Sequence, residues 1–192
     1  MELHKINVKV FTAVPNKVPL TDFIDVFHGW IQATDGVYLD VADYSHMQAG
    51  PGIVLVADDA NVSIDETDNR RGLLYSQKGK LGGSNLEKLS AVLRSALENC
   101  QRLEQEPTLS DKLRFAGNQV QILVNDRLVA PNTEVTFEEI RPEVDFLARR
   151  LYSTTNFTLL RNQQDPRHRF NVTISTPLSF ETKTLLNNLQ AI

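Results

Sequence analysis

Residues 37–57, VYLDVADYSHMQAGPGIVLVA, decide how the rest of the chain is read. Val37–Ala42 and Ile53–Ala57 have the character of two strands, and the polar loop between them ends in Gly50-Pro51-Gly52. Ile53-Val54-Leu55-Val56 is apolar at every position, which predicts a central strand covered on both faces. The loop holds Asp43, Tyr44 and His46, the densest cluster of reactive side chains in the sequence.

Working outward, Leu3–Phe11 alternates, with Ile6, Val8 and Val10 on one side and Asn7 and Lys9 on the other, as in a half-buried strand. Pro15-Asn16-Lys17 predicts a turn. Leu20, Phe23, Ile24, Phe27, Trp30 and Ile31 then share one helical face, with Gly36 at its end. Downstream of the central stretch, Asn61–Asp65 and Gly72–Ser76 read as strands. Ser84 and Glu87 form a capping box that opens the longest helix, about Asn85 to Glu104. Its inner face is Leu86, Leu89, Leu93, Ala96, Leu97, Cys100 and Leu103.

Asn118–Val124 predicts another strand, and Thr136 with Glu139 offers a cap for a third helix. Pro142 falls inside that helix, so either a kink or a fresh start is expected there. Phe157–Leu160 and Phe170–Ser175 complete the strands. Strands in runs point to an α+β fold with a mixed or largely antiparallel sheet, and about three helices packed chiefly on one face. Residues 1–176 read as that single domain and 177–192 as a polar, loosely held C-terminal tail. The strand-helix-strand order of Leu3–Val41 recurs over Asn118–Leu160 without shared residue identity.

A hydrophobic fraction of 41% and a charged fraction of 23% are those of a globular chain and argue against disorder or coiled coil. No apolar run reaches the roughly 18–20 residues of a membrane span. Glu2, His4, Lys5 and Lys9 interrupt any leader-like apolar region, and the lone Cys100 excludes an internal disulfide, so a cytoplasmic location is expected. The net charge of −4 is uneven. Residues 1–69 carry eleven acids and three lysines (−8), and residues 70–192 carry thirteen acids and seventeen Lys or Arg (+4). The acidic part argues against a nucleic-acid coat.

Three groups of residues could carry chemistry. Asp40, Asp43 and His46 could pair a carboxylate with an imidazole, or ligate a metal in a hydrolase, although their spacing matches no zinc motif. Asp58, Asp59, Asp65, Glu66 and Asp68 fail the EF-hand pattern and read as solvated turns. The loop from Lys78 to Ser84, with Lys80, Gly82 and Gly83, has the strand-glycine-helix order of an anion site, suited to a phosphorylated ligand, without a P-loop signature. Arg149, Arg150, Arg161, Arg167, His168 and Arg169 could form a basic face. No cofactor motif is present, and no cofactor is expected.

The runs Phe27–Gln32 (FHGWIQ), Asp40–Gly52 (DVADYSHMQAGPG), Arg71–Ser76 (RGLLYS) and Asn125–Thr133 (NDRLVAPNT) together resemble those of an uncharacterised bacterial family with cyanobacterial members. The resemblance covers Lys5 to Tyr152 and implies a bacterial cytosolic protein. It brings no activity, cofactor or catalytic residue. The residues themselves favour a non-catalytic protein that binds or assembles with another protein through the loop Asp43–Gly52, which carries Tyr44 and His46, with Arg70, Arg71 and Tyr75 as its neighbours.

Overall fold

The computed structural model describes residues 1–13, 18–162, 165 and 167–190, and the turn expected at Pro15-Asn16-Lys17 lies outside them. The elements are β1 (Ile6–Thr12), α1 (Asp22–Ala33), β2 (Tyr38–Tyr44), β3 (Gly52–Ala57), β4 (Ala60–Asp65), β5 (Gly72–Gln77), α2 (Asn85–Gln105), β6 (Phe115–Val124), α3 (Glu134–Tyr152), β7 (Thr158–Arg161), β8 (Phe170–Ser175) and α4 (Thr182–Gln190). The eight strands make one sheet in the order β2-β3-β4-β5-β1-β6-β8-β7. Every neighbouring pair is antiparallel.

Period-two alternation gives the sheet two chemically distinct faces. Val8 lies opposite Tyr75 and Ile122, and this row continues through Val62, Leu55 and Val41 on one side and Val172 on the other. Val10, Leu73, Ile64, Ile53, Val120 and Ile174 form the next row on the same face. Val8, Ile53, Leu55, Leu73 and Ile122 join the helices in one core, to which α2 contributes Leu89, Leu93, Leu97 and Leu103, all fully buried. Each such leucine contributes ~1.5–3 kcal/mol by leaving water. The opposite face carries Asn7, Lys9, Ser63, Asp65 and Asn171 among Val54, Leu74 and Leu123; these are buried yet stand apart from that core.

The order strand, helix, antiparallel hairpin, helix occurs twice. β1 and β6 pair at the middle of the sheet, β5 flanks β1, and β8 flanks β6. The first half differs by an extra hairpin, β2–β3, which extends its end of the sheet. Ile53–Val56 is therefore a strand one place in from the edge, where a central one was expected. Ile53 and Leu55 are fully buried beneath α1, Val54 is 9% exposed on the other face, and Val56 is half-buried.

Two further expectations are corrected. Helix α3 is capped by Thr133, whose hydroxyl accepts the Thr136 N–H, and it runs unbroken through Pro142. Both Pro142 and Glu138, whose carbonyl loses its partner, are on the exposed side, where water can satisfy that carbonyl. The stretch after Pro177 is not a loose tail but contains α4, which packs on α2 and α3. Leu185 and Leu189 are fully buried, so four α-helices among the described residues pack with the sheet, where about three were expected.

Candidate functional site

The edge strand β2 and the loop that follows it expose side chains that the rest of the molecule tends to bury. Of the ten large hydrophobic side chains left exposed among the described residues, four lie between Val37 and Met47: Val37 (53%), Leu39 (54%), Tyr44 (41%) and Met47 (48%). Among the described residues β2 pairs with β3 on one side only and has no strand on the other, where it forms a sheet edge. The local sequence is acidic, while Lys78 reaches the Ala57 carbonyl opposite Tyr38 and Arg102 lies near the Tyr38 ring. Residues 18–69 contain ten acids and no Lys or Arg.

The loop is held in shape by its own backbone. Met47 N–H donates to the Tyr44 carbonyl, Gly50 N–H to the Met47 carbonyl, and Glu66 N–H to the Gly50 carbonyl, which docks the loop on the end of β4. Hydrogen bonding from the Ser45 side chain, followed by that from the Ser45 N–H at 2.8 Å, holds the Asp43 carboxyl pKa below the usual carboxylate value. Tyr44 and His46 stand beside each other with ring centroids 6.5 Å apart, both exposed. Gly52 follows with φ +63, and a Cβ there would lie 2.0 Å from the Ile64 carbonyl oxygen. Only glycine lets β3 come this close to β4 at that turn.

Asp40 and Asp43 do not converge. Asp40 lies opposite Val56 and Asp43 opposite Ile53, an odd spacing that sends their side chains to opposite faces of the sheet. Asp40 instead accepts the Val41 N–H, and His46 is exposed on the loop. The three residues therefore do not form the acid–base or metal cluster that their sequence proximity suggested. No group of three His, Cys, Asp or Glu side chains suited to a metal ion occurs among the described residues.

At the start of β2 lies a cavity of about 360 Å³ that the sequence did not reveal. Tyr38 of β2, Asp58 and Asp59 of the β3–β4 turn, Tyr75 of β5, and Ser95 and Glu98 of α2 line it. Burial, ahead of the negative neighbours Asp59 and Glu98, pushes the Tyr75 phenol above its ordinary pKa, and hydrogen bonding with Ser95 opposes the shift. Next to this wall, the Arg102 guanidinium sits 3.9 Å from the Trp30 ring centroid and 5.9 Å from that of Tyr38. Of these two rings only Tyr38 belongs to the cavity wall, so the guanidinium stacks chiefly outside it, on Trp30. Three carboxylates and two phenols favour positive charge in the cavity, and the Arg102 cation already stands beside Tyr38.

The remaining expected residues are placed elsewhere. Arg70 lies over the Phe11 ring at 3.7 Å and also donates to Gln119, while Arg71 pairs with Glu66 at 2.5 Å and donates to the Val18 carbonyl. Both consolidate the β4–β5 connection rather than the loop. Asp65 pairs with Lys9 and Glu66 with Arg71, which splits the acidic group and leaves Asp58 and Asp59 to the cavity. The basic stretch is locally paired: Arg149 with Asp145, Arg161 with Glu134, and Arg167 with Asp165. Cys100 is fully buried, and burial pushes its thiol well above the ordinary pKa. His28 is exposed on α1.

No helix among the described residues is long and apolar enough to cross a membrane. No family model matches the chain, and no curated protein or solved structure shows significant similarity to it.

Proposed function

We propose that the protein is a non-catalytic, cytoplasmic binding protein whose partner is the basic, extended segment of another polypeptide, added along the open edge of β2. The observation that carries this reading is the coincidence of an unpaired edge with exposed Val37, Leu39, Tyr44 and Met47 in a 52-residue stretch without a single Lys or Arg. Main-chain hydrogen bonds to an edge supply affinity, and pockets for alternate side chains supply selectivity. Leu39 and Tyr44 offer apolar contact, while Asp40 and Asp43 repel acidic strands. The Tyr38–Tyr75 cavity with Asp58, Asp59 and Glu98 takes a lysine or arginine side chain.

The test uses synthetic nine-residue peptides of alternating apolar and basic residues, with acidic counterparts of equal hydrophobicity. Basic peptides should bind, slow amide exchange in Tyr38–Tyr44, and lose affinity in the Leu39→Lys and Tyr44→Ala variants. Equal binding of acidic peptides, or unchanged exchange along β2, would remove this reading.

A further inference from the structure

A second cavity, of about 220 Å³, lies where the start of β1 meets the end of β5 and the first turns of α2, and its chemistry is opposite to the first. Lys5, Lys78, Lys80, Lys88 and His4 line it with Leu3, Ile6 and Leu81, and Asp126 is the one carboxylate among its lining residues. Lys88 is the notable member, with a side chain only 1% exposed. Its ammonium donates to the Leu3 carbonyl at 3.3 Å and to a Glu2 carboxylate oxygen at 2.7 Å. A buried ammonium requires an anion, because desolvation without a partner is costly.

The anion in place is loosely committed. The Glu2 side chain is 69% exposed and reaches Lys88 from the solvent side. Hydrogen bonding from Lys88 is the main influence lowering its carboxyl pKa, with the charges of Lys88, His4 and Lys80 adding to it. The capping box at the start of α2, beside the cavity, is complete. The Ser84 N–H and hydroxyl donate to the Glu87 carboxylate, and the Glu87 N–H donates back to Ser84. Gly82 and Gly83 do not line the cavity, and the Lys78 ammonium donates to the Ala57 carbonyl. Of the glycine loop expected to hold an anion, Lys78 and Lys80 line the cavity beside side chains from the start of β1 and from α2.

We infer that this cavity binds a small oxyanion-bearing ligand, a phosphate monoester or a carboxylate, whose anionic group replaces Glu2 on Lys88. Lys80 and His4 flank the anion, and Leu3, Ile6 and Leu81 cover the apolar body. Glu2 then acts as a resident competitor that keeps the ammonium paired when the cavity is empty. The inference is independent of the β2 edge.

Amide NMR titrations of the full chain with inorganic phosphate and, separately, acetate at constant ionic strength test it. At least one anion should give saturable shifts at Leu3, Lys5 and Lys88, and which of them does so distinguishes a phosphate ligand from a carboxylate one. Glu2→Gln, at an exposed position, should tighten Kd about threefold to fivefold, the worth of a solvent-facing ion pair. Glu138→Gln, which removes the same charge elsewhere, should leave Kd unchanged. Lys88→Met should abolish the saturable shifts. Shifts that never saturate with either anion, an unchanged Kd in Glu2→Gln, or equal tightening in both glutamine variants would each overturn the proposal, whether or not the Lys88 variant folds.

Discussion

Lys9 and Asp65 form an ion pair across β5, with both side chains 4% exposed and Nζ 2.5 Å from the carboxylate, on the sheet face away from the helices. The residue between them is Gly72, where a Cβ would lie 3.1 Å from the Lys9 Cε. The missing side chain leaves the lysine stem its path from β1 to β4. Asp65 also accepts the Thr67 N–H and hydroxyl, and Lys9 donates to the Thr67 carbonyl, so the pair fixes the β4–β5 connection.

Removing one member strands a buried charge. Lys9→Met should therefore lower unfolding stability by about 3–5 kcal/mol, while the Lys9→Met/Asp65→Leu double variant should recover most of that loss. Urea denaturation of the two single variants and the double variant gives the coupling. A single variant within 0.5 kcal/mol of the parent, roughly the scale of an ordinary surface change, would show that the pair is not dry.

Gly52 is held at φ +63 against the Ile64 carbonyl. Gly52→Ala should cost about 2 kcal/mol or more, because both the backbone conformation and the space oppose a Cβ. Gly82, with nothing within 4 Å of its Cβ position, provides the control. Thermal melts in which the two alanine variants behave alike would contradict the close approach of β3 and β4.

Glu104 is half-buried, and desolvation raises its carboxyl pKa, opposed by the Phe115 N–H, Thr182 and Arg114 and reinforced by Glu181. A raised carboxyl pKa means that the native state binds more protons, so this group's contribution to stability falls as pH rises from the unfolded to the folded pKa. Glu104→Gln keeps an oxygen for the Phe115 N–H and removes the charge. It should be slightly more stable than the parent at pH 7, by well under about 1 kcal/mol after solvent screening, with the gain vanishing below about pH 4. A loss of stability at pH 7 would show that the attraction to Arg114 outweighs desolvation.

Helix α4 belongs to the core. Leu185→Ala should destabilise by about 2–5 kcal/mol, as for other fully buried leucines. An unchanged denaturation midpoint would return residues 182–190 to the status of a loose tail.

Leu39 is exposed on the outermost strand, so Leu39→Lys should change stability by no more than about 0.5 kcal/mol. The same change places a positive charge on the edge and should abolish binding of basic peptides there, measured by fluorescence anisotropy. A variant that binds as the parent does would free β2 of its assigned role.

Local pattern determined much of the architecture. The alternation of Ile6, Val8 and Val10, the apolar face of α2 and the Ser84–Glu87 box each act within a few residues, so strands and helices emerge from the sequence near their observed places. The pattern was silent or misleading where a decision needed distant partners. Ile53–Val56 is apolar throughout, yet only strand pairing puts β3 next to an edge. The Leu185, Leu186 and Leu189 stripe sat in a polar context, and α2 and α3 supply the surface that makes it a helix. Asp40, Asp43 and His46 are close in sequence, but the two-residue pleat of β2 sends the two carboxylates to opposite faces. Tyr38 and Tyr75 join Glu98 in one cavity, and Lys88 reaches Glu2 across 86 residues, because packing helices on one face of a sheet brings remote segments together. Composition and spacing determined the elements other than α4 and the acidic character of the first third; which side chains meet was decided by register and helix packing, which no local pattern encodes.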